Sequence, residues 1–341
     1  MSLTSFLLLI SVLGLVSCAG VTGSPEAANI RIQGAGASFP FPVYSKWFKV
    51  YSTAHQNVQI DYQSVGSGAG VKNFIDKTVD FGASDMAMTP QQIAGVQGGA
   101  QLLPLTAGNI VLAYNVSGLK DLKLSRVAYS GIFLGKVKKW NDPLIAKINP
   151  GANLPDRTIN VVVRADASGT SFVFSQHLSA ISKEFAASPG TNDMPAWPVG
   201  TKSKGNEGVT ASIQTTPDSI GYVEFAYALN QKMPMAQLEN KCGNFIIPST
   251  ASGQAAIAFA NLPDNLIAWV PDPSVEDAYP IATFTWFLAY KTNSTAKKAE
   301  VIRSILMYCV TDGQKESEAL GYLPLPETVA ARVKAAVQNI Q

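Results

Sequence analysis

The chain has 341 residues, of which 47% are hydrophobic and 15% are charged, with a formal net charge of +2. A chain of this size can bury a large core, and its length favours two lobes over one. Because opposite charges nearly balance, without a basic stripe or an acidic tail, nucleic acid is not expected as a partner.

Residues 1–29 have the character of an export signal. Phe6 to Val16 form an apolar run that is too short to span a bilayer as a helix. The run ends in Leu15-Val16-Ser17-Cys18, which resembles a bacterial lipobox, so Cys18 is predicted to carry a lipid anchor. The segment lacks the usual Lys or Arg, and a signal that is cleaved without lipidation is the alternative. Ala19 to Asn29, rich in Gly, Ser, Pro and Ala, is predicted to be a flexible tether.

Two glycine-rich segments each lead into a predicted helix. Residues 34–42 lead into a helix predicted over Pro40 to Thr53, and Ser38 is a candidate N-cap of that helix. Residues 65–70 follow a strand predicted over Val58 to Tyr62. Glycine lets backbone N–H groups approach a ligand closely, and helix N-termini attract anions. Ordinary strand-to-helix turns use the same residue types, and the glycine spacing matches neither nucleotide-binding motif.

A third such segment, residues 164–171, adds charge. It follows a strand predicted over Ile159 to Val163 and places Ser168 at the N-cap of the next helix. The guanidinium of Arg164 can contact a tetrahedral oxyanion through two N–H groups, and Asp166 can hold the guanidinium in one orientation. The segment therefore predicts an anion-binding site.

The remaining predicted elements alternate between strands and helices. Strands are predicted at Leu102 to Leu105, Ile110 to Tyr114 and Ile281 to Tyr290. Helices are predicted at Ser125 to Leu134, Thr170 to Ile181, Ala296 to Cys309 and Pro326 to Ile340. This alternation is typical of α/β lobes with largely parallel sheets.

Six separated blocks of sequence occur in an order typical of one family. They are GAGASFPFPVYSKWF from Gly34, VGSGAGVKNFI from Val65, VDFGASD from Val79, FLGKVKKWND from Phe133, RADASGTSFVF from Arg164 and IGYVEFAYA from Ile220. In these blocks the chain resembles the phosphate-binding proteins that serve ABC-type phosphate importers, and the resemblance extends over almost the whole mature length.

The resemblance implies an α/β, two-lobed type II periplasmic-binding-protein fold, in which each lobe is a mixed, largely parallel sheet flanked by helices. Lobe I would comprise residues 30–114 plus 281–341, lobe II would comprise residues 115–280, and two chain crossings would form the hinge. The implied protein is a monomer in the periplasm or at the cell surface, anchored to the membrane by lipid. It would capture inorganic phosphate and deliver it to the permease subunits of an ABC transporter.

The family's phosphate contacts also map onto this chain. They fall on Ser38, Phe39 through its backbone N–H, Ser67, Asp85, Arg164, Ser168, Gly169 and Thr170. Asp166 matches the family's partner for the arginine. Ser38 stands where the family often has threonine, and Ala167 stands where it often has glycine.

Asp85 has a physical role that follows from counting protons. Phosphate near neutral pH still carries an O–H group, and Asp85 can accept a hydrogen bond from it. Ionised sulfate has no O–H group to donate. An unmatched charge in a desolvated site costs several kcal/mol, so this carboxylate can reject sulfate. The alternative is that Asp85 merely ends a strand or caps a helix.

The histidines and cysteines point away from catalysis. His55 and His177 are too few for most metal or histidine-based catalytic sites, so no metal, cofactor or enzymatic activity is expected. His55 is predicted to be a solvated helix-end residue, and His177 an ordinary helix-face residue. Cys242 and Cys309 are expected to be unpaired, buried thiols.

Two alternative functions remain open, besides a surface or adhesion role that reuses the fold, for which nothing in the chain argues specifically. One is binding of another oxyanion, arsenate or less readily sulfate or molybdate. Asp85 does not distinguish arsenate from phosphate, because arsenate also carries protons. The other is phosphate-ester hydrolysis with Ser168 or Ser67 as nucleophile, which would need a general base or a metal that the sequence does not supply.

Overall fold

The computed structural model describes residues 29–258 and 260–341, so the predicted export signal and Cys18 lie outside the described residues. The strands are β1 Ile30–Gly36, β2 Val58–Ser64, β3 Phe81–Ser84, β4 Ala100–Asn115, β5 Lys123–Leu124, β6 Asn160–Arg164, β7 Thr201–Ser203, β8 Ser219–Glu224, β9 Gln237–Glu239, β10 Phe245–Ile246 and β11 Ala282–Tyr290. The helices are α1 Phe41–Ala54, α2 Ser67–Ile75, α3 Pro90–Ala94, α4 Arg126–Phe133, α5 Pro143–Ala146, α6 Gly169–Ile181, α7 Lys183–Ala187, α8 Gly205–Thr215, α9 Phe225–Asn230, α10 Thr250–Ile257, α11 Ala296–Cys309, α12 Gln314–Ser317 and α13 Glu327–Val337, with a 3₁₀ turn at Glu318–Leu320.

Eight strands form one mixed sheet in the order β2-β1-β3-β11-β4-β8-β6-β7. At one end β1 pairs in parallel with β2 and β3, and at the other β6 pairs in parallel with β7 and β8. The central strands β11 and β4 run antiparallel to their neighbours. The predicted α/β class is confirmed.

The long strand β4 joins the two halves of this sheet. Its residues 100–109 pair with β11, and its residues 110–115 pair with β8. The chain passes back between the halves at Ile281, whose carbonyl accepts a hydrogen bond from the N–H of Ile110. Two neighbouring stretches of backbone therefore connect the halves.

β4 is one continuous strand where two were predicted. Pro104 has no N–H to donate, but it is accommodated by a shift of register between Thr285 and Trp286 of the partner strand β11. The two predicted strands, residues 102–105 and 110–114, are therefore parts of a single element.

Serine and threonine caps start several helices. Ser168 begins α6 by accepting a hydrogen bond from the N–H of Ser171, at 3.1 Å, as predicted. Ser38, however, is not a helix cap. α1 begins at Phe41 after Pro40 and has no side-chain cap. Its first turn is instead preset by proline, which supplies a helical φ and lacks the N–H that a cap would satisfy.

The cysteine and histidine predictions are partly right. Cys242 and Cys309 are both unpaired, and Cys309 is buried. Cys242 is exposed, because it lies in the tight turn between β9 and β10. His55 ends α1 at the surface, as predicted. His177 is not an ordinary helix-face residue, because it is fully buried and bonds the Tyr129 hydroxyl and a backbone carbonyl.

Within residues 29–258 and 260–341, no helix is long and apolar enough to cross a bilayer.

Candidate oxyanion-binding site

Four loops meet at the centre of the sheet, and each follows the carboxyl end of a parallel strand. Ser38 follows β1, Ser67 follows β2 and Asp85 follows β3, while Arg164 is the last residue of β6 and residues 165–171 follow it. Ligands of open α/β folds bind outside the carboxyl ends of such strands. The four loops come from both halves of the sheet.

The loops after β2, β3 and β6 touch one another. The backbone N–H of Asp85 donates to Ser67 Oγ at 3.3 Å, and the Thr170 hydroxyl lies 3.4 Å from Asp85 Oδ2. Gly169 is packed so closely that an added Cβ would lie 2.5 Å from Ser67 Oγ and 2.7 Å from Asp85 Cβ. All four residues are buried, so their polar groups are packed against one another away from bulk water.

Arg164 lies near enough to Asp85 for its charge to lower the pKa of that carboxyl, which burial raises, and Asp166 holds one side of the Arg164 guanidinium. Its Nε donates to Asp166 Oδ1 at 2.9 Å, and its Nη2 donates to Asp166 Oδ2 at 2.6 Å. The side chain is 1% exposed, and Nη1 has no hydrogen-bond partner among the described residues. Buried N–H groups are nearly always paired, so Nη1 is the group that an anion would satisfy.

Asp166 remains ionised beside this arginine. Burial by itself raises the pKa of the carboxyl, but the hydrogen bonds and charge of Arg164 and the N–H of Gly205 outweigh it, so the pKa is lowered. Arg164 is therefore fixed in orientation by a charged partner.

Asp85 has the opposite electrostatic environment. Burial raises its pKa from 3.8 to about 7, against the hydrogen bonds from Thr285 and Thr170 and the nearby charge of Arg164, which lower it. The Thr285 hydroxyl donates to Asp85 Oδ1 at 2.8 Å. A carboxyl of this kind can share a proton with a ligand near neutral pH.

The loop after β1 contributes Ser38 and Phe39. Ser38 Oγ accepts hydrogen bonds from the backbone N–H of Asn206 at 3.0 Å and from its Nδ2 at 2.9 Å. The Ser38 carbonyl accepts from the Tyr227 hydroxyl at 2.6 Å. Phe39 is buried, and its carbonyl accepts from the Tyr322 hydroxyl at 2.6 Å.

Both halves of the structure therefore contact each other around the site. The N–H of Gly68 donates to the carbonyl of Ala167 at 3.0 Å, and a Cβ added at Gly66 would overlap the Asp166 carboxylate. Ala167 does not have a positive φ, so alanine is accommodated where the family often has glycine.

The structure brings Ser67, Asp85, Gly169 and Thr170 into contact and links Ser38 to Thr170 through Asn206. Arg164 is paired with Asp166, and Phe39 and Ser168 lie next to these residues in the chain.

Three residues that the sequence did not predict also contact this group. The added residues are Asn206, Tyr227 and Thr285. Thr285 is one of two buried threonines in β11, the other being Thr283, so its place in the sequence does not mark it out. Asn206 follows a glycine at a helix start, like the predicted residues, but no charge marks it out.

The fold and this site define a solute-binding protein of the periplasmic type. The model of the PBP superfamily domain matches residues 22–303, so the chain belongs to that superfamily. Two solved structures share the fold. One is a high affinity periplasmic phosphate-binding protein bound with phosphate, with a TM-score of 0.73, 21% identity, and coverage of 90% of this chain and 93% of that one. The other is a putative phosphate ABC transporter substrate-binding protein with bound phosphate from Clostridium perfringens, with a TM-score of 0.64, 16% identity, and coverage of 87% and 100%. The predicted type II fold is confirmed.

Sequence relatives define the family within this class. The phosphate-binding protein PstS of Pasteurella multocida is 40% identical over 311 residues, which cover 89% of each chain. The phosphate-binding protein PstS of Methanocaldococcus jannaschii is 37% identical over 353 residues, which cover 95% of this chain and 91% of that protein. The chain belongs to the family of PstS phosphate-binding proteins, and the resemblance predicted from sequence is confirmed.

Proposed function

We propose that this protein captures inorganic phosphate between two lobes and delivers it to the permease of an ABC transporter. One observation carries the proposal: the buried cation Arg164, with Nη1 unpaired among the described residues, shares a site with Asp85, a carboxyl whose pKa lies near 7. A cation and an acceptor for one proton together fit a partly protonated tetrahedral anion. Titration calorimetry with phosphate and sulfate at neutral pH tests this, and equal affinity for the two anions would refute it.

The proposed ligands have distinct roles. Arg164, Ser168, Gly169, Thr170, Ser67, Ser38 and the N–H of Phe39 would donate hydrogen bonds to the anion. Asp85 would accept the hydrogen bond of its remaining O–H. The start of α6 supports this, because its backbone N–H groups and helix dipole favour negative charge next to Ser168.

The proposed lobes follow the division of the sheet. Lobe I would comprise residues 30–114 plus 281–341 and lobe II residues 115–280, with the hinge where β4 and the start of β11 cross between them. The support is that β4 changes its pairing partner from β11 to β8 within this strand. Ser38, Ser67 and Asp85 then lie in one lobe and Arg164 in the other, so closure around the anion would exclude water.

The role would be binding without catalysis. Ser67 Oγ accepts from the N–H of Asp85, and Ser168 Oγ accepts from the N–H of Ser171. Neither arrangement activates a nucleophile, which needs a base that removes its proton. A chromogenic phosphomonoester assay on the purified protein should show no turnover, and metal-dependent turnover would contradict this.

The protein would act outside the cytoplasm as a monomer. The periplasm is what the family resemblance implies, and the lipobox-like sequence ending in Cys18 supports a lipid anchor. Mass spectrometry of protein from the membrane fraction would detect a lipid on Cys18, and an unmodified chain that begins elsewhere would favour simple cleavage.

Substitution of Gly66 tests the closed arrangement. Gly66 has a φ of +96°, and a Cβ there would overlap the carboxylate of Asp166. We expect Gly66→Ala to weaken phosphate binding by about tenfold, because overpacking costs about 1–3 kcal/mol. Calorimetry measures the change.

Gly118 offers a matched control for Gly66. It also has a positive φ, +75°, but no described atom lies within 4 Å of an added Cβ. Gly118→Ala also places a Cβ on a residue of positive φ, but without a clash, so it should lower the melting temperature without changing phosphate affinity. Equal affinities in the two variants would show that the Gly66 loop does not close on Asp166.

Sulfate binding should depend on pH through Asp85. Because the pKa of Asp85 is raised to about 7, its carboxyl is neutral below that pH and can donate its proton to a sulfate oxygen. In the free protein the carboxyl is protonated below this pKa, so sulfate affinity should be highest well below about pH 7 and should fall as the pH rises through that value. We expect sulfate to bind at least about tenfold more tightly at pH 5 than at pH 8, at constant ionic strength.

Calorimetry at the two pH values measures this difference, and Asp85→Asn is its control. The asparagine variant does not titrate, so its sulfate affinity should be nearly the same at both. A wild-type sulfate affinity that does not change with pH would contradict the role of Asp85.

A further inference from the structure

Asn206 is buried at the start of α8 and uses every polar group of its side chain. Its Nδ2 donates to Ser38 Oγ at 2.9 Å and to Thr170 Oγ1 at 3.2 Å. Its Oδ1 accepts from the backbone N–H of Glu224 at 3.0 Å. Asn206 therefore connects two of the proposed phosphate ligands to the end of β8.

The backbone of Glu224 determines which way the Asn206 amide faces. A backbone N–H can only donate, so the amide oxygen must point towards Glu224. The NH₂ group then points towards the two hydroxyls, and its two hydrogens match the two hydroxyl oxygens. A flipped amide would place two donors against each other at Glu224.

This orientation limits what the two hydroxyls can do. Ser38 Oγ accepts from both the backbone N–H and the Nδ2 of Asn206, so both of its lone pairs are occupied. Its single O–H is the one hydrogen-bonding capacity left. Thr170 Oγ1 also accepts from Asn206, and its O–H lies on the side of Asp85 and the site.

We propose that Asn206 is a positioning residue that holds Ser38 and Thr170 as hydrogen-bond donors towards the bound oxyanion. The inference rests on the proposed function, since it assigns no ligand of its own. Its consequence is selectivity: with both lone pairs of Ser38 Oγ occupied and one lone pair of Thr170 Oγ1 taken by Asn206, Asp85 is the main acceptor for the ligand's proton. The site then suits a tetrahedral oxyanion that carries one O–H.

Double-mutant cycles in phosphate affinity test this role. Asn206 and Thr170 both lie in the proposed lobe II, so coupling between Asn206→Ala and Thr170→Val reports orientation of the hydroxyl and not contact between lobes. We expect Asn206→Ala to weaken phosphate binding about tenfold in the wild-type background. In the Thr170→Val background the same substitution should weaken binding by no more than about threefold. The cycle with Ser38→Ala should show coupling of the same sign.

A purely structural role would give a different pattern, namely the same cost of Asn206→Ala in all backgrounds. That result, or no cost at all in the wild-type background, would overturn the inference. If Thr170→Val and Ser38→Ala each leave phosphate affinity unchanged, the proposed site itself is wrong, and the inference fails with it.

Two further variants keep the test decisive. Asn240 is an equally buried asparagine, and its side-chain amide forms hydrogen bonds only with backbone groups away from the site. Asn240→Ala should therefore lower stability but not phosphate affinity. If Asn206→Ala does not fold, Asn206→Ser replaces it, because a single hydroxyl hydrogen cannot serve both Ser38 and Thr170. Phosphate affinity of Asn206→Ser equal to the wild type would overturn the inference.

Discussion

Arg164→Ala is expected to abolish most phosphate binding. The guanidinium is buried, two of its nitrogens are held by Asp166, and Nη1 has no partner within the described part of the chain. A bound phosphate would form a buried charge pair with Arg164. Removing one member of such a pair costs about 3–5 kcal/mol, which corresponds to a loss of phosphate affinity of about 100-fold or more. Titration calorimetry measures the loss directly.

Two other arginine variants separate this effect from a general loss of charge. Arg164→Lys keeps the charge but loses the planar fork, so its affinity should fall between wild type and Arg164→Ala. Arg157 forms an ion pair with Asp218 while its side chain is 49% exposed. Arg157→Ala should leave phosphate affinity unchanged. Phosphate affinity of Arg164→Ala within twofold of wild type would refute the proposed site.

Asp85→Asn is expected to reduce the preference for phosphate over sulfate. The wild-type carboxylate faces sulfate as an unpaired negative charge in a buried site, at a cost of several kcal/mol. The asparagine amide is neutral and can donate to sulfate, yet its oxygen still accepts from the O–H of phosphate. The ratio of the two affinities at pH 8 should therefore fall by about 100-fold, mostly through tighter sulfate binding.

Glu224 supplies a matched control for Asp85. It is fully buried, and burial raises the pKa of its carboxyl well above the usual range. Oε2 of its carboxyl group accepts a hydrogen bond from the N–H of Ala226 at the start of α9, which is a structural role. Glu224→Gln should leave the ratio of phosphate to sulfate affinity near its wild-type value. A ratio that changes equally in both variants would show that any buried acid near the site has the same effect.

Local sequence signals predicted the elements that local interactions determine. The helix predicted over Ala296 to Cys309 occupies those residues, and the strand predicted over Ile281 to Tyr290 begins one residue later. Ser168 caps α6 as predicted, because a cap depends on neighbours three residues away. The family resemblance then supplied Asp85, which no local pattern identified.

The features that sequence reasoning missed depend on distant contacts. Ser38 looked like a cap, but its hydroxyl bonds Asn206, 168 positions away in sequence. Asp85 is bonded by Thr285, 200 positions away, and the hydroxyl of Tyr227 reaches the Ser38 carbonyl. Likewise, the continuity of β4 through Pro104 depends on a register shift in β11. Such pairings arise only when the sheet is assembled.

The most direct test of the account is a crystal structure of the protein with phosphate. We expect a single phosphate within hydrogen-bond distance of Arg164 Nη1, the Ser38 hydroxyl and the Asp85 carboxyl, with Asn206 still hydrogen-bonded to Ser38. A phosphate bound elsewhere, or one that contacts Arg164 while Asp85 faces away from it, would contradict the central claim.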